Sequence, residues 1–226
     1  MEGMAQFPDK YFELAIIDPP YGINAGKNTF QNGTRKSYNH IDKNWDISIP
    51  KDEYWEQLLR VSKNQIVWGA NYYAIKLPIS RGWIYWHKMV LTENYSQGEI
   101  AWTSFDCVVK YFEYKYQGNY LGFRNAITTQ TGTKIEARIH PTQKPIALYK
   151  WLLQNYAKPG DKILDTHAGS CSSVIACIDG GFDWIAFELD EDYYKAALQR
   201  INNHVKQSDL FNGKKYDNIQ TSIFEP

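Results

Sequence analysis

Apolar residues in this chain come in short runs separated by polar stretches carrying glycine, proline or asparagine, the rhythm of strands joined through helices. Leu14-Ala15-Ile16-Ile17 is strand-sized and unbroken, which points to a parallel strand buried on both faces. Residues 51–62, after Pro50, place apolar side chains at helical spacing and predict a helix; strands are expected next at 65–68 and 83–86, with a helix around 71–76 between them. Leu148, Trp151, Leu152 and Tyr156 repeat at helical spacing, Lys158-Pro159-Gly160-Asp161 turns the chain, and an apolar strand then runs to Asp165. A small-residue turn leads into another helical pattern through Ala176, a strand from Trp184 ends in Glu188, and a last helix is expected from Glu191 to about Val205. Residues 22–50 show little periodicity and read as a long loop, while residues 107–125 alternate apolar and polar and hold six aromatics. The tail from Gln207 is polar and expected to be loosely held. With neither repeats nor a low-complexity linker, one α/β domain over residues 1–226 is the expectation.

Composition changes this picture little. The 226 residues are 43% apolar, enough for one substantial core. Net charge is zero, so no global basic field favours tight nonspecific binding of a polyanion. Locally, Lys110, Lys115, Arg124, Lys134, Arg138 and Lys144 outnumber the acids between residues 107 and 150. Cys107, Cys171 and Cys177 have no metal-ligand spacing and leave one thiol over, which suits a reducing compartment and predicts no metal site. Apolar runs are strand-sized and no signal peptide stands out, so a soluble, cytoplasmic protein is expected.

Candidate chemistry starts at Asp18-Pro19-Pro20-Tyr21, directly after the first strand. Ligands of open α/β sheets collect beyond the carboxyl ends of strands, and two prolines leave the strand stiffly and turn it, presenting Asp18 and Tyr21 to one cavity. An exocyclic amine on a nucleic-acid base is a poor nucleophile because its lone pair is delocalised into the ring. A carboxylate and a backbone carbonyl accepting from that NH2 would draw the nitrogen toward tetrahedral geometry, and a tyrosine face would carry a base swung out of the stack. A second signal is the strand, small-residue turn and helix start at Asp165-Thr166-His167-Ala168-Gly169-Ser170-Cys171-Ser172-Ser173. Its backbone could approach a ligand closely and offer free N–H groups to an anion. Glu188, an acid at the end of the next strand, suits the hydroxyls of a ribose.

In the order of these motifs, with His140-Pro141-Thr142-Gln143-Lys144-Pro145 just before the glycine-bearing loop, the chain resembles the beta class of DNA amino-methyltransferases, small phage-like or mobile-element type. The resemblance covers residues 14–201. It implies a Rossmann-like α/β methyltransferase fold with a mainly parallel sheet and circularly permuted motif order. It also implies S-adenosylmethionine as cofactor and double-stranded DNA, with the target base flipped, as partner. By the same resemblance the catalytic set is Asp18, Pro19, Pro20 and Tyr21. The cofactor set is Asp165, Thr166, His167, Ala168, Gly169, Ser170, Ser172 and Glu188, with His140, Thr142 and Lys144 beside the cofactor. A short target-recognition region is implied at about residues 107–138. Adenine N6 is favoured over cytosine N4 because beta-class cytosine enzymes commonly carry serine at the place of Asp18. RNA as substrate, or a catalytically silent nucleic-acid-binding homologue, are the alternatives. A homodimer through the aromatic region and a cognate endonuclease are compatible with the resemblance and required by nothing in the residues. One departure stands out. Family members usually read D-P-F-x-G-S-G-T in the cofactor loop, and here Cys171 replaces the second glycine, where a side chain would crowd the cofactor or force a backbone angle that glycine takes cheaply.

Overall fold

A computed structural model describes residues 2–25, 44–89, 96–117, 120–122, 139–212 and 223–224. In chain order the elements are α1 (Glu2–Ala5), β1 (Phe12–Ile17), α2 (Asp52–Val61), β2 (Ser62–Trp68), a 3-10 turn (Ala70–Tyr72), β3 (Trp83–His87), β4 (Gly98–Thr103) and β5 (Lys110–Glu113). They continue with β6 (Lys115–Gln117), β7 (Tyr120–Gly122), α3 (Ile146–Tyr156), β8 (Lys162–Asp165), α4 (Ser172–Gly180), β9 (Asp183–Phe187), α5 (Glu191–Asn212) and β10 (Ile223–Phe224). One sheet has the order β10-β9-β8-β1-β2-β4-β3-β5, and β6 and β7 pair separately. In the large sheet β4 runs antiparallel to β2 and β3, and the other pairings are parallel. This is the Rossmann-like architecture, with the strand that carries the Asp18 loop preceding in sequence the strand that carries the glycine loop.

Burial follows from the pleat. Along β1, Leu14 and Ile16 join a cluster with Ile66, Trp86 and Ile163 under Leu148 and Leu152 of α3 and Ala176 of α4. Ala15 and Ile17 face the other way, against Val67, Leu164 and the Tyr54, Trp55, Leu58 and Val61 stripe of α2, a cluster that Phe12 at the start of the strand also joins. Both faces of β1 are therefore covered, which explains its unbroken apolar run. A third cluster joins Val174, Ile175 and Ile178 of α4 to Ala186 of β9 and Ala197 and Ile201 of α5.

Strand order reverses between the parallel strands β8 and β1. From β8 the chain crosses over α4 to β9 on one side, whereas from β1 it crosses over α2 to β2 on the other. The carboxyl ends of β8 and β1 thus flank a switch point, where the two outgoing connections part and leave a crevice.

Two expectations are corrected. The segment at 71–76 is not a helix but a 3-10 turn and further turns, closed by Tyr73 N–H to Ala70 and Lys76 N–H to Tyr73 bonds. Pro78 disfavours helix in the residue before it, and Tyr73 is held by the Asp18 loop. The final helix continues to Asn212, past the polar residues read as a loose tail, because nothing breaks it before Gly213. Of the expected 22–50 loop, residues 26–43 lie outside the described residues, as do residues 118–119 and 123–138 of the expected recognition region.

Ile66→Ala is expected to lose about 2–5 kcal/mol, as deletion of a fully buried branched side chain does. Ile79→Ala, at a fully exposed position, should stay within about 0.5 kcal/mol. Urea unfolding measures both, and equal losses would contradict this assignment of the core.

Candidate active site

Asp18 is the first residue past β1, and its carboxylate is largely enclosed. The Tyr21 hydroxyl donates to Asp18 Oδ1 at 2.6 Å, so these two side chains of the tetrapeptide meet across the proline turn. Tyr73, from the turn after β2, braces that loop: its hydroxyl lies 2.5 Å from the Pro19 carbonyl and 2.8 Å from that of Pro20. Gly69, at the end of β2, adopts φ +68°, and a Cβ there would stand 2.2 Å from Tyr21 Cε1. Only glycine admits the Tyr21 ring at this place. The ring stacks on Tyr72, centroids 4.8 Å apart and planes 12° from parallel. Asp46 anchors the next stretch of chain, accepting from the Gly22 and Ala25 amides at 2.8 and 2.7 Å.

Lys144 reaches the same spot. Its ammonium donates to Asp18 Oδ2, lies 3.2 Å from the Tyr21 hydroxyl and pairs with Glu99 of β4 at 3.1 Å. Glu99 has a second cation in Lys88. The two carboxylates therefore differ. Burial pushes Glu99 up, but two ammonium groups outweigh it and hold the carboxyl at about 2. Burial raises Asp18 too, and one shared lysine, opposed by the Glu99 charge, does not fully offset it. The Lys144 ammonium is disfavoured by burial but raised overall by the two acids.

Across the crevice, Asp165 ends β8. Its carboxylate accepts from the His167 amide at 3.0 Å and from the Ser173 hydroxyl at 2.5 Å, and burial pushes it up to about 7. Glu188, just past β9, accepts from the Gly169 and Asp190 amides, both at 2.8 Å, fixing the loop to the neighbouring strand. Ala168 N–H closes the same junction on the Phe187 carbonyl at 2.9 Å. Arg200 of α5 donates to the Ser170 carbonyl and, at 3.0 Å, to the Ser172 hydroxyl. No side chain caps the N-terminus of α4 among the described residues, so its first N–H groups are left for a ligand or solvent. Thr166 bonds Tyr54 of α2 at 2.6 Å, and burial holds the His167 imidazole at about 4, hence neutral. Pro20, Tyr54 and His167 line one cleft of about 440 Å³ between the two loops.

His140 lies over the glycine loop, 3.5 Å from the Cβ position of Gly169, with its ring centroid 4.3 Å from that of Tyr193. The Thr142 hydroxyl meets His140 Nδ1 at 3.1 Å, so Thr142 orients the imidazole. His140 thus lies against the glycine loop, and Thr142 meets it through the His140 ring. Lys144, grouped with them by motif, is instead placed on Asp18. Tyr73, Tyr72 and Arg200 carry no sequence signal for these positions, and Gly69 and Glu99 lie in stretches, 64–71 and 99–105, that resemble family members only weakly and name no role. Only the pairing of β4 with β2 and β3 brings Glu99 to this rim.

Cys171 adopts φ +56° and ψ +34°, the left-handed conformation that glycine takes cheaply. Its thiol does not face the cleft. It is fully buried among Ala168, Val174, Ile175, Ala186, Ala197 and Ile201, where burial raises its pKa. The departure from the family pattern thus affects the backbone and the core.

A crevice at the switch point of a parallel sheet, with an acid at the end of each flanking strand and an uncapped helix start beside it, defines a nucleotide-type site. The model of the DNA methylase family (N6_N4_Mtase) matches residues 67–199, and the chain belongs to that family. It is similar to the DNA adenine methyltransferase YhdJ of Escherichia coli (strain K12), 37% identical over 78 residues, which are 34% of this chain and 26% of YhdJ. It is also similar to YubD of the same strain, 38% identical over 64 residues, 28% of each chain. The matched stretch spans about a quarter of the length of each curated relative. In fold the chain resembles the PvuII DNA methyltransferase (cytosine-N4-specific), with a TM-score of 0.55 at 13% identity over 93% of this chain and 89% of that one. It also resembles TTHA0409 of Thermus thermophilus in its complex with S-adenosyl-L-methionine, TM-score 0.52 at 17% identity, 90% of each chain covered.

Position 171 offers a direct test of the backbone. Cys171→Gly relieves about 1 kcal/mol of left-handed strain and loses a buried side chain of similar worth, so stability should change by less than about 1 kcal/mol. Cys171→Val adds a β-branch at positive φ and overfills a packed cluster, and should lose about 2 kcal/mol or more. Denaturant unfolding in which both variants match the parent would refute the left-handed assignment.

Proposed function

We propose that this chain transfers a methyl group from S-adenosylmethionine to the exocyclic amino group of a base in DNA, with adenine N6 the preferred target. One observation carries the reading: the Asp18 carboxylate and the Pro19 and Pro20 carbonyls are held rigidly at the carboxyl end of β1, across one crevice from the Asp165 and Glu188 loop. The residues present fit the cofactor. The uncapped α4 start suits a carboxylate, the Glu188 carboxylate at the strand end suits a ribose hydroxyl, and the cleft lined by Tyr54 and His167 adjoins both loops. Bound there, S-adenosylmethionine would supply the methyl group on a sulfonium leaving group.

The chain's own contribution is positioning and preorganised electrostatics. The ionised Asp18 and a proline carbonyl accept from the target NH2 and turn its lone pair toward the donor. Transfer of the methyl would leave the donor as a neutral thioether and the nitrogen positive, and the proton would then pass to solvent, so Asp18 acts as acceptor and need not be a strong base. Tyr21 offers its ring to the base, with Tyr72 already stacked on one face. The preference for adenine rests on Asp18, where related cytosine enzymes commonly have serine, and is supported by the name of the YhdJ relative. Mass spectrometry of nucleosides from DNA of expressing cells tests it. N6-methyldeoxyadenosine is expected, N4-methylcytosine would reverse the base choice, and neither would overturn the activity.

Asp18→Ala should lose at least about a hundredfold in transfer rate with S-adenosylmethionine affinity nearly unchanged, since the lost acceptor serves the amine. Tyr21→Phe should keep much more activity than Tyr21→Ala; equal loss would assign the role to the hydroxyl that bonds Asp18. Glu188→Ala should weaken the cofactor by about 1–3 kcal/mol in calorimetry, because the ribose hydroxyls lose their acceptor. Unchanged affinity would put Glu188 outside the pocket.

A further inference from the structure

Lys144 is a deeply buried cation at the site, its side chain 3% exposed. Its ammonium is enclosed between Asp18 and Glu99, with the rings of Trp68 and Tyr21 at 5.6 and 5.8 Å. We propose that Lys144 is a positioning residue that keeps the Asp18 carboxylate ionised and fixed in plane for the target amine, and that Glu99, itself secured by Lys88, is the buttress that holds Lys144 there. The proposal rests on the function just proposed and adds residues to it.

The need for a cation arises from the surroundings of Asp18. Tyr21 of its own loop donates one hydrogen bond. The other neighbours are Tyr73 after the 3-10 turn, Tyr149 of α3, Asp165 at the end of β8 and Glu99 of β4. Two of these, Asp165 and Glu99, are acids, which disfavour a further buried negative charge on Asp18. Among the described residues Lys144 is the cation in contact with Asp18. A protonated Asp18 would have a donor where the amine needs an acceptor. Geometry is equally constrained. Tyr21 takes one direction on Oδ1 and Lys144 one on Oδ2, so the carboxylate plane is pinned at both ends while each oxygen keeps a free acceptor direction. A compact ammonium does this, whereas the forked guanidinium of an arginine would engage both oxygens.

The sign of the effect is fixed. Burial already raises Asp18, and Lys144 opposes that rise, so removing the lysine moves the carboxyl further up. Ionised Asp18 is then scarce near neutrality and returns only at higher pH. The test uses Lys144→Met and, because the single change leaves two buried acids facing each other, the charge-balanced Lys144→Met/Glu99→Gln. Carbon-13 NMR titration of the Asp18 carboxyl, assigned by its absence in Asp18→Asn, is read beside the pH profile of single-turnover methyl transfer to DNA. In either variant the titration midpoint and the acid limb should rise together, corresponding to about a tenfold or greater gain in proton affinity, and transfer should recover at alkaline pH. A midpoint equal to that of the parent in both variants overturns the proposal. If the parent methylates no DNA at any pH while the midpoint still rises in the variants, the charge assignment stands and the functional reading fails.

Discussion

Everything at this site depends on the reversal of strand order between the parallel strands β8 and β1. Parallel strands end on one edge of the sheet, and helices ordinarily cover the exits from that edge. Here α4 leaves toward one face and α2 toward the other, so no crossover closes the gap between the two central strand ends. The loops after β8 and β1 must face each other. One carries Asp165 and the small residues before α4, the other carries Asp18 and Tyr21. Circular permutation changes which strand comes first in sequence, but the crevice is a property of strand order and survives it.

Three acids stand at successive strand ends, and each is stabilised differently. Glu188 is tied by backbone amides, an arrangement that orders the loop. Asp165 has an amide and a hydroxyl but no cation, and burial leaves it near neutrality. Asp18 has a lysine, at the cost of a second buried acid to hold that lysine. Removing one member of such a network would strand a charge in the interior, while the network as a whole gives specificity of geometry more than net stability. That division suits an active site, where a fixed acceptor direction matters more than a deep free-energy well.

Much of this was legible along the chain because the signals are local. An unbroken apolar run followed by Asp18-Pro19-Pro20-Tyr21 names both a buried strand and the loop that emerges from it, and the strand, small-residue turn and helix around Gly169 do the same for β8 and α4. Glu99 was not legible, since its strand reaches the rim only by running antiparallel between β2 and β3, a pairing that no local pattern encodes. Lys144 was visible as part of a motif, but its destination depends on how the turn before α3 lies over Trp68 and Tyr21. The helix read at 71–76 failed for a similar reason. Tyr73 is drawn to the proline carbonyls by tertiary contact, and local helical propensity is too weak to resist that.

Cys171 shows how a motif can change while its geometry persists. A glycine enters the left-handed region cheaply, and the cysteine at this place holds such angles where the loop ends and the helix starts. The surrounding core sustains the strained residue. Its thiol fills space between α4, β9 and α5, and Arg200 and Glu188 clamp the loop from either side. Strain of about 1 kcal/mol at one residue is small beside the several apolar contacts and hydrogen bonds that impose it. The left-handed angle at this position is therefore held by the packing around Cys171 and does not depend on the conformational freedom of glycine.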